Sequence, residues 1–433
     1  MKLRMRLVLI AIILILMVCL AWGQDSLTFE QAVRIGLEHN LDLKATRLRR
    51  IQAERAFHPG PAGFLPALNL NASHAEIRDN LFKSASSSGT SINYGAELNW
   101  TLFDGSAMFI QYRILKIRKD LMLVEEHGQW ASFLFNLHSA FNELARQQSQ
   151  LILYREVSQL SKFRLETVTI NLKTGAASQV DLLKSRVEYN SRESQRKQQE
   201  LSLRDAYRKI NLLIGIAVDS MISVIDPFPV SDTQTTAWNI ESREWENYPA
   251  LQSAALKQQI AQYQIRYSAA QWFPKIVLSA LYGRLNTYRR LGSFEEKSSQ
   301  SYQVNTSIQF NLFNGFKDCI EYRNTRSERE IAELEYIKEE REVKSLWRQS
   351  LEDYSLYREL VSNEEENLEI AATALKLARQ RYELGAASLL EWMESQNYYT
   401  QAADRLIEIR FQLRNSENTL KLLSGRYNSS YNN

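Results

Sequence analysis

The sequence predicts an α+β chain made of two copies of one structural unit, each combining a strand pair with a long helical hairpin. The first observation is an internal repeat with an offset of 210 positions, which indicates duplicated structure. The second is a period-two alternation in two segments of each half, and the third is a proline-free helical pattern of coiled-coil spacing. The repeated segments are 98–105, 173–183 and 212–215, which return as 308–315, 383–393 and 422–425.

The chain begins with a predicted export signal. Basic residues precede the apolar run 7–20, and small residues then occupy the two positions that a signal peptidase reads. The run could instead be a retained anchor, but it is short for a span and no basic stop follows it. Val18 before Cys19 argues against lipidation. We predict a signal peptide 1–23 and a mature chain that begins at Gln24.

The composition excludes some classes of function. Cleavage removes three of the 53 Lys and Arg residues and none of the 50 Asp and Glu residues, so the formal net charge falls from +3 to zero. A neutral chain does not indicate a nucleic-acid partner. Only Cys319 remains after cleavage, so an intrachain disulfide is impossible and stability must come from packing or assembly.

No pattern of residues indicates catalysis, a metal or a cofactor. The sequence has no Gly-x-Ser-x-Gly turn and no phosphate-binding Gly-x-x-x-x-Gly-Lys-Ser/Thr run. The mature methionines form no cluster that would suit a soft metal. The histidines lie far apart without ligand spacing, at His39, His58, His74, His127 and His138. We predict that the chain is not an enzyme and binds no cofactor.

Each half contains one pair of amphipathic strands. Apolar and polar side chains alternate within 68–73 and 92–102, and again within 276–282 and 302–312. Polar runs rich in Ser and Gly separate the two strands of each pair and predict solvated hairpin tips. The predicted strand pairs are 67–104 and 275–314, and their tips are 83–91 and 289–300.

The strand pairs have two interpretations. One is a soluble antiparallel sheet with its apolar face on a core. The other is a transmembrane β-barrel, because strands of about ten residues with aromatics towards the ends of the apolar band suit a membrane. No later apolar stretch is long enough for a membrane helix, and four strands are too few to close a barrel, so several chains would have to contribute. The aromatic residues are Tyr94, Trp100, Tyr282, Tyr288, Tyr302 and Phe310.

Long helical hairpins follow the strand pairs. In 106–174 apolar residues recur at steps of four and three without proline, and an unbroken helix of that length would extend roughly 100 Å. A shorter helix precedes each strand pair and is stopped by Pro66 or Pro274. The predicted organisation is a first repeat 24–215 with hairpin 106–215, a linker 216–244, a second repeat 245–425 with hairpin 316–425, and a polar tail 426–433.

The turns of these hairpins are predicted at Gly175 and Gly385, since a residue free to adopt positive φ closes the last helical turn. Capping boxes are predicted for Ser178 with Asp181 and for Ser388 with Glu391. This structural role alone explains why the glycine, the serine and the acidic residue recur in both turns. A functional role is also open: each turn marks the end of a rod distant from the strands, where acids on one helix face could form a ring that favours cations.

The order of these features is similar to that of the TolC family of outer-membrane efflux proteins over residues 27–425. The resemblance rests on the duplicated unit, the Leu-Phe-Asp/Asn-Gly strand exits and the motif Arg381-Tyr382-x-x-Gly385-x-x-Ser388. It implies a homotrimer with a twelve-stranded transmembrane barrel and a coiled-coil helical barrel in the periplasm. Its partners would be a periplasmic adaptor, an inner-membrane transporter and outer-membrane lipid.

The resemblance also implies roles for individual residues. The adaptor would dock on Gly175, Ala176, Ala177, Ser178, Gly385, Ala386, Ala387 and Ser388, and the periplasmic entrance would be gated by Asp181, Tyr382, Glu391 and Glu394. The chain departs from the family at Thr101, Asn311 and Leu172. Ala177 and Ala387 leave the tips without a basic side chain to bind the neighbouring acids, and Lys184 occupies the first-repeat position that matches Glu394.

The sequence therefore predicts a passive outer-membrane duct of a tripartite efflux or type I secretion system. The alternative is a periplasmic coiled-coil scaffold or adaptor without a membrane barrel. Drugs, small metabolites and secreted polypeptides are all compatible with the sequence, as are proton-driven and ATP-driven pumps.

Overall fold

The computed structural model describes residues 27–81, 85–219, 243–291 and 293–429. The predicted signal peptide and most of the linker lie outside the described residues. The described chain is mostly helical, with one four-stranded antiparallel sheet, and the same order of elements occurs in both halves. This confirms the predicted α+β class and the two repeats.

The first half contains helices α1 to α5 and strands β1 and β2, with bounds α1 Phe29–His39, α2 Leu41–Ala56, α3 Pro59–Ala62, β1 Ala67–Leu81, β2 Ala85–Asp104, α4 Ala107–Lys173 and α5 Gln179–Ile214. The second half follows a 3-10 turn at Glu244–Asn247 and contains α6 Pro249–Ala270, β3 Lys275–Leu291, β4 Ser293–Gln309, α7 Lys317–Glu383, α8 Leu389–Leu423 and α9 Arg426–Ser429. The helices α4 and α7 contain 67 residues each, which confirms the long proline-free helices. Among the described residues, no helix combines the length and apolar composition that a membrane span requires.

The chain divides into two compact units. The helical unit comprises the described residues of Met1–Ala45, His127–Tyr248 and Glu342–Asn433. The strand unit comprises Thr46–Glu126 and Pro249–Arg341, again for the residues described. Both predicted helical turns belong to the helical unit, and all four strands belong to the strand unit.

The sheet of the strand unit has the order β1-β2-β3-β4, so the strand pairs of the two repeats join through β2 and β3. Paired residues Leu98 and Ala280, and Tyr282 and Tyr302, place apolar side chains on one face. On the opposite face, Glu97 accepts hydrogen bonds from two asparagine side chains of β1 and β2 at 3.3 and 2.9 Å. The predicted alternation is therefore confirmed as a difference between two faces.

The apolar face of the sheet is not covered by any of the residues that the structure describes. Leu70 is 84% exposed, Tyr302 is 77% exposed and Val304 is 76% exposed. A soluble sheet would bury this face against a core, because large uncovered apolar patches mark interaction surfaces. The soluble interpretation requires a core against this face, and the described residues provide none.

The strands differ from the prediction at both ends. The ladders of β1 with β2 and of β3 with β4 continue into the runs predicted as solvated tips, because backbone pairing does not require apolar side chains. A bulge between Thr101 and Phe103 puts Phe103, rather than Leu102, opposite Ile276. The strand β4 ends at Gln309, since its partner β3 begins at Lys275 and offers no residue beyond that pair.

The helical unit has a core between α1, α4 and α5. Ala32 of α1, Leu137 of α4 and Ile214 of α5 are all fully buried in it. Tyr427 is also part of this core, although the sequence pattern predicts a polar tail there. Its hydroxyl hydrogen-bonds Asn418 of α8, so the start of that segment packs on the helices rather than extending into solvent.

The predicted single helix before the first strand pair is two helices. Asn40 separates α1 from α2 with extended ψ of 125°. Its side chain accepts a hydrogen bond from the Leu43 amide at 3.0 Å and donates one to the Leu213 carbonyl at 2.8 Å. Asn40 both caps α2 and binds the end of α5. These hydrogen bonds therefore stabilise the interruption between α1 and α2.

Polar pairs join α4 to α8 along the helical unit. An antiparallel arrangement follows, because residues later in α8 pair with residues earlier in α4. A shift in register would break all four pairs, so the pairs favour one alignment of the two helices. They are Asn142 with Asn415 at 3.2 Å, Arg146 with Glu408 at 3.1 Å, Tyr154 with Asp404 at 3.3 Å and Ser161 with Gln396 at 2.9 Å.

Candidate functional site: the two helical turns

Both long helices end in a glycine with positive φ. Gly175 follows α4 with φ +79°, and Gly385 follows α7 with φ +75°. In each turn the alanine after the glycine donates its amide to a carbonyl five residues earlier, at 2.8 Å in both cases. The two turns therefore have one shared geometry that closes the helix end, as predicted.

We expect Gly175→Ala and Gly385→Ala to destabilise their turns by about 1 kcal/mol each, because a Cβ is strained at positive φ. Apart from the adjacent residues of the chain, no heavy atom lies within 4 Å of a Cβ built at either position, so the cost is conformational rather than steric. Amide hydrogen exchange of the turn measures it. The Asn variants are the control and should lose less stability, since Asn tolerates this region; a loss as large as for Ala would contradict a purely backbone origin.

The first turn has the predicted capping box. The Ser178 hydroxyl accepts from the Asp181 amide at 3.2 Å, and the Asp181 carboxylate accepts from the Ser178 amide at 3.1 Å. Hydrogen bonds from the Ser178 hydroxyl and amide, with attraction from Lys184, hold the pKa of Asp181 below its usual range. Asp181 is therefore a charged acceptor that stabilises the beginning of α5.

The second turn is bonded differently, and the second capping box was predicted wrongly. The Ser388 hydroxyl accepts from the Glu391 amide at 3.2 Å, but the Glu391 carboxylate binds Arg381 Nη1 at 2.7 Å. Arg381 Nη2 also donates to the Ala386 carbonyl at 3.2 Å. The expectation that no basic side chain binds the acids at the tips is also wrong, since Arg381 reaches across the turn.

The two turns contribute to one cluster of apolar side chains, which we call the tip cluster. Its buried centre contains Trp392, which is fully buried and lies with its ring centroid 5.1 Å from that of Tyr382. Ala177 and Leu182 of the first repeat pack against the same cluster. Its members are Val168, Leu375, Leu389 and Trp392, with Leu160, Ala177, Leu182, Tyr382, Met393 and Tyr399 partly buried around them.

The candidate site residues therefore separate into three environments. Tyr382 and Ala177 lie in the tip cluster, whereas Asp181 and Glu391 are each held by hydrogen bonds within their own turn. Glu394 is exposed on α8 and, within the described residues, takes part in no ion pair. The remaining predicted docking residues are exposed except Ala387, which is half-buried.

Sequence reasoning missed two residues of this site. Arg381 was part of the recognised motif but was given no role, and its ion pair spans ten positions across a turn. Trp392 occupies the repeat position of Leu182. The repeat therefore aligns the two residues but does not predict that the tryptophan is buried. Among the described residues, no group of three or more His, Cys, Asp and Glu side chains could hold a metal ion.

Comparison with known proteins identifies the family. The sequence matches the outer membrane efflux protein family over residues 33–216 and 242–426, one match for each repeat. The chain belongs to this family. A search of the curated proteins found no match.

Solved structures of outer-membrane channels share the fold of this efflux-family chain. The outer-membrane channel OprN matches at a TM-score of 0.78 and 16% identity, covering 93% of this chain and 94% of that one. CusC matches at 0.79 and 16%, covering 92% of each chain. The CmeC outer membrane channel of Campylobacter jejuni matches at 0.77 and 16%, covering 93% and 90%. These neighbours are channels rather than enzymes.

Proposed function

We propose that this chain is the outer-membrane channel of a tripartite efflux or type I secretion system, a passive exit duct in the outer membrane. The observation that carries the proposal is the uncovered apolar face of the four-stranded sheet. Lipid is a suitable contact for that face, and the polar face with Glu97 and its asparagines would then line a wet lumen. A periplasmic scaffold without a barrel would leave the apolar face in water.

The proposal includes a homotrimer. The edge strands β1 and β4 contain 15 and 17 residues, and each has one side without a partner strand in the described sheet. Long open edges pair with other chains unless they are protected. Three copies would supply twelve strands, enough to close a barrel. The helical units of the three copies would form a coiled-coil helical barrel in the periplasm.

The two turns are proposed as the docking end for a periplasmic adaptor, which would link the channel to an inner-membrane transporter. Gly175, Ser178, Gly385 and Ser388 are exposed and repeat the same backbone geometry. Three chains would therefore present six similar turns. The chain has no nucleotide-binding motif, so the transporter would supply the energy.

The acids of the turns are proposed to narrow the entrance and to favour cations. Asp181 and Tyr382 would support the packed tip, and Glu391 and Glu394 would face the passing ions. Because Arg381 neutralises Glu391 in part, Glu394 is expected to contribute the larger share of the selectivity.

Planar-bilayer recording of the purified trimer tests this function. We expect the variant with Glu391→Ala and Glu394→Ala together to lower the cation preference by about twofold, the size expected for surface charges worth under about 1 kcal/mol each. Glu394→Ala alone should give most of that change. The matched control replaces the exposed ion pair of Asp205 and Arg208 on α5, away from the turns, by Ala, which leaves the net charge unchanged and should preserve the preference.

An assembled trimer whose cation preference is the same in the double variant would refute the gate. Extraction from membranes only by detergent, together with heat-modifiable migration in electrophoresis, is expected for the duct. Full solubility after signal cleavage would refute the membrane barrel and favour the scaffold.

A further inference from the structure

A fully buried guanidinium group lies next to the tip cluster. Arg164 of α4 has no exposed surface, and its Nη1 donates to Gln396 Oε1 of α8 at 2.8 Å. Its Nε and Nη2 are buried without a hydrogen-bond partner. No carboxylate of the described residues lies within ion-pair distance of it. Burial of a cation in this state lowers the stability of the folded chain, because one hydrogen bond to a neutral amide replaces the full hydration of the guanidinium.

Beyond Gln396, the nearest charged groups act on Arg164 only at longer range, with Glu188 attracting the guanidinium and Arg192 repelling it. Gln396 uses its amide group on the Ser161 hydroxyl at 2.9 Å and the Val157 carbonyl at 3.3 Å. The guanidinium carbon lies 5.8 Å from the ring centroid of Trp392, an attraction that offsets only part of the lost hydration. Burial lowers the pKa of Arg164 to about 10, in agreement with an environment that disfavours the charge.

The position of Arg164 connects this cost to the turns. Trp392, which receives the guanidinium on its face, also contacts Tyr382 at the end of α7. The same α8 segment carries Glu391 and Glu394. Separation of α8 from α4 at this level would open Arg164 to water and recover its hydration, whereas the apolar contacts of the tip cluster would be lost.

We propose that Arg164 destabilises the packed tip and thereby sets how readily the two turns separate. The tip cluster favours the packed turns, whereas the unsatisfied guanidinium favours their separation. The free-energy difference between packed and separated turns is therefore smaller than it would be with an apolar residue at position 164. This inference rests on the proposed channel function where it concerns pore opening. The stability of the packed tip can be measured independently of transport.

The experiment uses the full-length trimer in detergent and in planar bilayers. Arg164→Met keeps an extended side chain and removes the charge, and Gln396→Glu supplies a carboxylate at the position of the present acceptor. Both variants should slow amide hydrogen exchange in 375–400 by about tenfold and reduce spontaneous pore openings by a similar factor. Lys162→Met is the matched control, because it removes an exposed charge from the same helix and should change neither quantity.

Unchanged or faster exchange in both variants would overturn the proposal, and so would failure of Arg164→Met to assemble, since that would show the guanidinium to be stabilising. A wild-type trimer that never conducts would refute the channel function instead, while the exchange measurement would still decide the role of Arg164.

Discussion

Replacing Trp392 by Ala is expected to destabilise the packed tip by about 3–5 kcal/mol, because the side chain is large and fully buried. The side chain is fully buried, packs with Tyr382 at 5.1 Å between ring centroids and accepts the Arg164 cation on its face. Its removal leaves a large cavity where the two turns meet. Amide hydrogen exchange in 160–175 and 375–400 should therefore accelerate by roughly 100- to 4,000-fold, since each factor of ten corresponds to about 1.4 kcal/mol.

The repeat provides the control for Trp392→Ala. Leu182 occupies the matching position of the first repeat, but it is only half-buried at the edge of the tip cluster. Leu182→Ala should therefore cost less than half as much free energy. An equal loss of free energy in the two variants would contradict this, because it would show that both repeats contribute equally to the tip cluster.

Replacing His138 by Phe is expected to remove much of the acid sensitivity of the helical unit. Burial, with repulsion from Lys421, lowers the pKa of His138 from its ordinary value of 6.5 to about 4. The folded state therefore favours the neutral ring, which lies 4.0 Å from the Phe29 ring between centroids. The resulting contribution to stability is fully present above pH 6.5 and is lost as the pH falls towards 4. It amounts to at most about 3 kcal/mol.

Thermal unfolding of the detergent-solubilised protein at pH 7.5 and at pH 4.5 measures this effect. The wild type should lose more stability on acidification than His138→Phe does. The exposed His39 provides the control, and His39→Gln should follow the wild type at both values. A steeper pH dependence in His138→Phe than in the wild type would contradict a buried neutral imidazole.

Much of the fold was predictable because it depends on short-range pattern. The absence of proline and the spacing of apolar residues predicted α4 and α7, and the alternation in 276–282 and 302–312 predicted the two faces of the sheet. Two strand features were not predictable in the same way. The bulge beside Phe103 and the end of β4 at Gln309 depend on where the partner strand begins.

The candidate site was predictable to a smaller extent. The positive φ of Gly175 and Gly385 and the capping box of Ser178 follow from residues within one turn of each other. The partner of Glu391 did not follow, because two donors compete for that carboxylate and the geometry of the turn favours Arg381 over the Ser388 amide. The same competition is absent from the first repeat, where Asn171 stands at the position of Arg381.

The duplicated unit, the positions of the turns and the polarity of the strand faces are thus properties of the amino-acid sequence, since each depends on neighbours within a few residues. The burial of Trp392, the unsatisfied guanidinium of Arg164 and the uncovered state of the apolar sheet face are decided by tertiary structure. The physical reason is distance along the chain: Gln396 meets Ser161 across 235 positions. Such a contact exists only when long helices pack in one register, and no local pattern specifies which buried polar atoms that register leaves without a partner.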